Sequence, residues 1–166
     1  AGFIAATWGE RVLINGDKMP GAKWFPDAKI NFAENLLMHR GNADAIVFRG
    51  EDRAEQRMNR DELYDAVSLV AQALKAEGIS IGDKVGAYIA NVPEAIITML
   101  ATASIGATWS SCSPDFGVNG VLDRFGQIQP KVMITVDGYF YNGKAIDIRA
   151  KVEEIVKNLP SIKRVV

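Results

Sequence analysis

The chain has 166 residues, of which 48% are hydrophobic and 23% charged, a balance that is typical of globular proteins and excludes intrinsic disorder. Its 19 Lys and Arg against 20 Asp and Glu leave a net charge of −1, which excludes a general electrostatic attraction to nucleic acid or anionic membranes. One cysteine and one histidine exclude an internal disulfide and a Cys/His zinc cluster, so we expect a reducing, cytoplasmic setting.

Residues 1–30 show no regular hydrophobic period, so we predict an irregular N-terminal arm at 1–30 followed by a partial α/β domain at 31–166. Trp8, Trp24 and Phe25 lie in this arm, and we expect their rings to pack against another part of the molecule. The chain begins without methionine, and we expect this start to be a cut in a longer protein.

A short helix is predicted directly after the arm. Asn31 has the character of an N-cap residue, and Glu34 stands three residues later as in a capping box. Gly41 is the predicted end of this helix, which places His39 in its last turn.

A β-hairpin and the clearest helix of the chain follow. Asn59 and Glu62 have the spacing of a second capping box, apolar residues continue at helical spacing, and Gly78 is the predicted end. The two strands of the hairpin are predicted at 45–49 and 53–58, with the turn at 50–52.

The rest of the chain alternates between strands that are apolar throughout and amphipathic helices. This order, with strands that are apolar on both faces, predicts an α/β fold with a mostly parallel sheet and helices on both of its faces. The strands are predicted at 85–90, 107–112, 132–136 and 164–166, and the helices at 93–105, 118–128 and 148–159.

The last predicted strand enters the sheet where the chain ends. Independent domains seldom end on an unpaired strand, so we expect this domain to be incomplete at its C-terminus. Its sheet edge would then be open to self-association.

A nucleophilic cysteine is one candidate for chemistry, because Cys112 is predicted at the carboxyl end of a strand, where ligands collect in α/β sheets. A thiol nucleophile needs a base, and His39 is the only histidine. Since His39 is predicted at a helix C-terminus, where a cation suits the dipole, we favour a buried structural cysteine.

A second candidate is the segment Ser113-Pro114-Asp115-Phe116, between a predicted strand and a predicted helix. In one interpretation the free N–H groups of that helix face an anion or an amide. In the other, the segment is an ordinary connection in which Asp115 is a polar cap. Neither G-x-G-x-x-G nor G-x-x-x-x-G-K-[ST] occurs in the chain, so no known phosphate-binding loop decides between them.

A third candidate is the aromatic run of Tyr139, Phe140 and Tyr141, with Lys144 close behind it. Aromatic rings beside a cation can stack on a base and contact a phosphate. Alternating aromatic residues can equally cover the surface of a sheet, and the residues alone leave both interpretations open.

Three segments carry a resemblance to a known family. They are WFPDAKINFAENLL at 24–37, GATWSSCSPDFG at 106–117 and VLDRFGQIQPKV at 121–132. These segments resemble the N-terminal part of the adenylate-forming acyl-CoA synthetase superfamily, and within it the acetoacetate–CoA ligases. The acetate- and propionate-activating branches usually carry a histidine where Trp109 stands and two glycines where Pro114 and Asp115 stand.

The resemblance implies the incomplete N-terminal subdomain of the acyl-CoA synthetase fold. It also implies an ATP-dependent ligase that uses Mg²⁺, forms an acyl-adenylate and transfers the acetoacetyl group to CoA. The superfamily's phosphate loop and catalytic lysine lie downstream of the matching region, so we expect the 166 residues alone to be inactive. Two alternatives remain: part of an acetyl- or propionyl-CoA ligase, and a freestanding α/β binding module without ligase chemistry.

The resemblance assigns no catalytic residue and no metal ligand to this chain. In related synthetases, the loop that corresponds to Ser113, Pro114, Asp115 and Phe116 lines the CoA channel. The segment that corresponds to 141–144 carries arginines that meet the CoA 3′-phosphate. Lys144 would keep one of those charges and Tyr141 replaces the other, so both are candidate CoA-binding residues.

Overall fold

The structure is a computed structural model that describes residues 2–51 and 54–166. Within these residues, no helix is both long enough and apolar enough to cross a membrane. The helices are α1 Phe32–Leu37, α2 Arg60–Ala76, α3 Pro93–Ser104, α4 Val118–Ile128 and α5 Arg149–Asn158. The strands are β1 Leu13–Ile14, β2 Lys23–Trp24, β3 Asp44–Gly50, β4 Ala54–Asn59, β5 Lys84–Tyr88, β6 Thr108–Cys112, β7 Val132–Thr135, β8 Gly138–Tyr141, β9 Lys144–Asp147 and β10 Arg164–Val165.

The central element is a parallel sheet of four strands in the order β10-β7-β5-β6. Val85 of β5 lies opposite Trp109 of β6 on one side and Val132 of β7 on the other. Each strand is joined to the next strand of the sheet by a helix, as parallel neighbours require. The predicted α/β fold with a mostly parallel sheet is confirmed, and β6 and β10 are its outer strands.

Helices cover both faces of the sheet. Val85 and Ala87 point into a core with α2 and α3, whereas Tyr88 points into a second core with α4 and α5. Successive strand residues face opposite sides, and both sides are buried, which explains why the strands are apolar throughout. Because parallel crossovers are right-handed, the step from β5 to β6 and the return step to β7 place their helices on opposite faces.

The predicted helix caps are present. In α2 the Asn59 side chain accepts the N–H of Glu62 at 2.9 Å, and Glu62 accepts the N–H of Asn59 at 2.7 Å, which is a complete capping box. Gly78 follows this helix with a φ of 78°, a conformation that favours glycine.

Helix α1 is shorter than predicted. The Asn31 side chain accepts the N–H of Glu34 at 3.1 Å, so the predicted N-cap is confirmed. The helix ends at Leu37, however, and His39 lies exposed beyond it, so the prediction of His39 in the last turn is wrong. The Asn31 amide also donates to the Ser104 carbonyl at 2.9 Å, which joins the start of α1 to the end of α3.

Two antiparallel hairpins stand beside the sheet. The predicted hairpin is present as β3 and β4. Residue 52 of its predicted turn and residue 53, the predicted start of its second strand, lie outside the described residues. Ile46 and Met58 of this hairpin pack against the core that α2 shares with the sheet. The second hairpin, β8 and β9, was not predicted, and its two-residue turn has φ of 50° at Asn142 and 74° at Gly143.

The N-terminal arm contains little regular structure among its described residues. Strands β1 and β2 form a two-residue antiparallel pair, and Thr7 bridges to Lys29. The Trp8 and Phe25 rings meet edge to face at 5.9 Å between centroids, so these two rings pack on each other within the arm.

Candidate functional site

A cleft of about 800 Å³ lies at the carboxyl edge of the parallel sheet. Asn91, Ser113 and Asp137, which follow β5, β6 and β7, all line it. The chain leaves β5 toward one face of the sheet and leaves β6 and β7 toward the other, so the connections separate at this edge. Ligands of open α/β sheets bind in crevices of this kind, and we therefore take the cleft as the candidate site.

The two hairpins form the walls of the cleft. The tip of the β3–β4 hairpin contributes Phe48 and Glu51, and the β8–β9 hairpin contributes Tyr139 and Tyr141. Neither hairpin belongs to the central sheet. The hairpins are therefore held beside the sheet by side-chain contacts and not by strand pairing with it.

The loop at residues 113–116 is fixed from below by a buried tyrosine. The Tyr88 hydroxyl lies 2.8 Å from the carbonyl oxygens of both Pro114 and Phe116, to which it donates. Tyr88 is fully buried, and burial raises the pKa of its hydroxyl, so it remains a donor at neutral pH. Of the four predicted loop residues, only Pro114 is buried, while Ser113, Asp115 and Phe116 are exposed.

A second tyrosine holds the same loop from the side. The Tyr139 hydroxyl donates to Asp115 Oδ1 at 2.5 Å, and the Ser113 hydroxyl donates to Asp115 Oδ2 at 3.0 Å. The hydrogen bond from Tyr139 lowers the pKa of Asp115 most, and the one from Ser113 lowers it further. The same hydrogen bond to Asp115 raises the pKa of Tyr139 to about 12. Asp115 is therefore ionised and Tyr139 protonated at neutral pH.

Asp115 does not act as the helix cap that one interpretation assumed. The N-cap of α4 is Gly117, which provides no side-chain cap, and Asp115 accepts from Tyr139 and Ser113 instead. The Arg124 guanidinium of α4 lies over the Phe116 ring at 4.6 Å from its centroid, which adds a cation–π contact to the end of the loop.

The tip of the β8–β9 hairpin is bound by a carboxylate from the other wall. Glu51 Oε1 accepts the N–H of Asn142 at 2.7 Å, and Glu51 Oε2 accepts the N–H of Gly143 at 3.0 Å. The two hairpins are thus joined across the cleft by residues about ninety positions apart in the chain.

The two predicted residues of the aromatic segment lie on this hairpin. Tyr141 and Lys144 are direct partners in the β8–β9 ladder, so their side chains share one face, and both are exposed. Tyr141 lines the cleft beside the loop at 113–116. The structure therefore brings Ser113, Pro114 and Asp115 together with Tyr141 at one cleft. Phe116 and Lys144 do not line the cleft, and each adjoins a residue that does.

The cysteine candidate is not supported by the geometry. Cys112 is 3% exposed in the core shared with α4 and α5, and burial raises the pKa of its thiol. His39 lies exposed after α1, which packs on α3 at the opposite face of the sheet. The favoured interpretation of Cys112 as a buried structural residue is consistent with this placement.

Within residues 2–51 and 54–166, no three His, Cys, Asp or Glu side chains are grouped so that they could hold a metal ion.

The sequence does not predict the observed roles of Glu51 and Tyr139, which line the cleft, or of Tyr88, which is buried beneath its loop. The pattern of the sequence places Tyr88 in a strand and Glu51 in a turn, and it predicts a stacking or covering ring at Tyr139. An Asn-Gly pair between two apolar segments is a strong hairpin signal, and Asn142-Gly143 would have revealed the turn that Glu51 binds.

Comparisons with known proteins bear on this site. The solved structure of acetoacetyl-CoA synthetase from Streptomyces lividans matches with a TM-score of 0.88 and 41% identity, covering 99% of this chain and 25% of that chain. Acetoacetyl-coenzyme A synthetase of Rhizobium meliloti (strain 1021) is 57% identical over 151 residues, which are 91% of this chain and 23% of that protein. Acetoacetyl-CoA synthetase of Gallus gallus is 46% identical over 146 residues, or 87% of this chain and 22% of that protein.

The chain spans about a quarter of the length of these relatives. A family model described as "AMP-binding enzyme" matches residues 32–166, which include the whole parallel sheet and both hairpins. The family match, the identity to the relatives and the shared fold agree with the resemblance seen in the sequence, and this chain belongs to the AMP-binding enzyme family.

Proposed function

We propose that the protein carrying this chain is an ATP-dependent acid–thiol ligase that converts acetoacetate and CoA to acetoacetyl-CoA. The observation that carries the proposal is the 57% identity over 151 residues to an acetoacetyl-coenzyme A synthetase. Trp109, Pro114 and Asp115 further favour acetoacetate over the alternative acids, acetate and propionate, through the resemblance described above.

The proposed reaction has two steps. A carboxylate oxygen of acetoacetate attacks the α-phosphorus of ATP and releases pyrophosphate, which leaves an acyl-adenylate. The CoA thiolate then attacks the acyl carbon, the C–O bond to AMP breaks, and AMP leaves with the electron pair. The first step converts a carboxylate, which is a poor electrophile, into an acyl group with a good leaving group. Mg²⁺ would neutralise phosphate charge in the first step.

Within this reaction, we propose that the cleft serves CoA. Its lining includes Ser113, Pro114, Asp115 and Tyr141. Lys144 pairs with Tyr141 in the ladder and Phe116 completes the loop. A cation beside an exposed ring suits a ligand that carries both phosphate and an aromatic base. No described residue is proposed to take part in bond making or breaking.

The ligase proposal is tested by assaying the intact protein with acetoacetate, ATP and CoA. We expect acetoacetyl-CoA, AMP and pyrophosphate in equal amounts, with kcat/KM for acetoacetate above that for acetate and propionate. A preference for acetate or propionate would support the alternative ligases. Absence of acid-dependent ATP consumption would support a binding module without ligase chemistry.

The CoA site is tested by Lys144→Ala in the intact protein. Loss of one exposed charge contact, worth up to about 1 kcal/mol, should raise the KM for CoA by roughly fivefold, since 1.4 kcal/mol is tenfold. Acetoacetate-dependent ATP–pyrophosphate exchange should not change, because that half-reaction needs no CoA.

The matched control for this variant is Lys75→Ala, which removes an exposed lysine from the last turn of α2. In this control the KM for CoA and the rate of acetoacetate-dependent ATP–pyrophosphate exchange should both stay at the wild-type level. An unchanged KM for CoA in Lys144→Ala would reject the role of Lys144.

Two broader expectations belong to the same proposal. The single cysteine is a buried free thiol, which suits a reducing compartment, and we propose a cytoplasmic location. We also propose that the outer strands β6 and β10 are the edges through which the isolated 166-residue chain would self-associate.

A further inference from the structure

The β8–β9 hairpin is a wall of the cleft that lies outside the parallel sheet. Among the described residues its two strands pair with each other and not with the parallel sheet, and Phe140 and Tyr141 are 51% and 61% exposed. Tyr139 and Ile146 pack against the core shared with α4 and α5. A two-stranded hairpin is marginally stable by itself in water. Its position over the cleft therefore depends on contacts with other elements.

One such contact lies at the base of the hairpin. Tyr139 in β8 donates to Asp115, which stands in the loop after β6. The Asp115 carboxylate is held in turn by the Ser113 hydroxyl and lies one residue after Pro114, whose carbonyl accepts from buried Tyr88. The base of the hairpin is thus connected to the core of the parallel sheet.

A further contact lies at the tip. The left-handed conformations of Asn142 and Gly143 present two successive N–H groups on one side of the turn, and each oxygen of Glu51 accepts one of them. Glu51 follows the last residue of β3, and that hairpin packs on the core through Ile46. Charged acceptors make the stronger hydrogen bonds, so this contact is well suited to hold a turn.

We propose that Glu51 and Tyr139 are positioning residues that hold the β8–β9 hairpin across the cleft, and that loss of either contact weakens CoA binding while leaving acid activation intact. This inference rests on the proposed function. Tyr141 lies between the two contacts in the chain, and Lys144 follows the turn that Glu51 binds. Together with the packing of Tyr139 and Ile146 on the core, the two contacts therefore help to set where these side chains stand relative to the loop at 113–116.

The inference is tested with Glu51→Gln and Tyr139→Phe in the intact protein. The first variant removes the charge and replaces one acceptor oxygen with an N–H₂ donor, and the second removes only the hydroxyl. Matched controls are Glu55→Gln, which alters the exposed ion pair with Arg49 on the same hairpin as Glu51, and Tyr64→Phe on the exposed face of α2.

Two readouts are combined. Amide hydrogen exchange of the ligand-free protein reports whether the turn at 142–143 opens, and we expect exchange there to be about tenfold faster in both variants than in the controls. Steady-state kinetics should show a KM for CoA raised by about tenfold, while acetoacetate-dependent ATP–pyrophosphate exchange stays within about twofold of wild type.

Wild-type exchange at 142–143 in both variants would overturn the inference whatever the enzyme does. Faster exchange with an unchanged KM for CoA would also overturn it, because the hairpin would then be held without consequence for the coenzyme. If the wild-type protein shows no acid-dependent ATP–pyrophosphate exchange, the proposed function fails instead. Calorimetric titration of the same variants with CoA then decides the inference, and an equal Kd in wild type and variants refutes it.

Discussion

At the scale of the residue, single tyrosine hydroxyl groups hold the loop that lines the cleft. Tyr88 is fully buried and its hydroxyl is shared between the carbonyl oxygens of Pro114 and Phe116. A buried carbonyl oxygen that loses its donor carries an uncompensated desolvation cost. The conformation of the loop at 113–116 therefore depends on Tyr88 of β5 as well as on the loop's own residues.

Tyr88→Phe should destabilise the folded chain, because it removes the hydroxyl and keeps the ring. We expect the free energy of unfolding to fall by about 1–3 kcal/mol, the cost of leaving buried polar groups unpaired. Urea denaturation of Tyr88→Phe and of the exposed control Tyr64→Phe measures the difference. Equal stability of the two variants would show that the loop does not depend on the hydroxyl.

Local patterns predicted many elements but not all of them. Helix α2 was predicted because a capping box, a helical apolar stripe and a glycine end coincide in one segment. The bounds of α4 were predicted at both ends, since alternation and flanking turn residues agree. Strands β1 and β2 have two residues each, which is too short for any hydrophobic period to appear.

The β8–β9 hairpin was missed by the sequence-based prediction for a different reason. Its strands have four residues each, and the aromatic run suggested a stacking surface before it suggested a strand. The contact of Glu51 with Asn142 joins positions 91 residues apart, so no local pattern indicates it. The order of strands in the sheet is likewise a property of long-range pairing, which periodicity does not encode.

The turn of this hairpin gives a prediction at the scale of the element. Gly143 has a φ of 74° and a Cβ added there would meet no atom within 4 Å, so Gly143→Ala introduces backbone strain without a clash. We expect a loss of about 1 kcal/mol in the free energy of unfolding, or faster local opening of the hairpin.

Gly126→Ala is the matched control, because Gly126 lies inside α4, also has open space at Cβ, and has no positive φ. This variant should gain about 0.5–1 kcal/mol, since alanine is the better helix former. Thermal unfolding combined with amide exchange measures both variants. Equal effects at the two positions would mean that the turn conformation carries no strain for alanine.

At the scale of the whole molecule, the topology explains why a cleft forms at this edge. Strand β5 lies between β6 and β7. After β5 the chain continues on one face of the sheet, and after β6 and β7 it continues on the other face. The separation opens a crevice, and the two hairpins close its sides.

The fold class could be predicted because strands apolar on both faces predict a parallel sheet. The position of the loop at 113–116 at the carboxyl edge of that sheet follows from the same pattern, and its role in binding stays a prediction. The identity of the ligand could not be predicted in this way. Exposed residues such as Lys144 and Tyr141 carry no local signal that separates a coenzyme contact from ordinary solvent-exposed polarity.

A hydrogen-exchange footprint of CoA on the intact protein tests the central claim most directly. The account predicts that saturating CoA slows amide exchange at 113–116 and 138–147 and leaves α2, whose packing lies on the other face of the sheet, unchanged. Protection confined to regions outside these two segments would show that the coenzyme binds elsewhere and would contradict the assignment of the cleft.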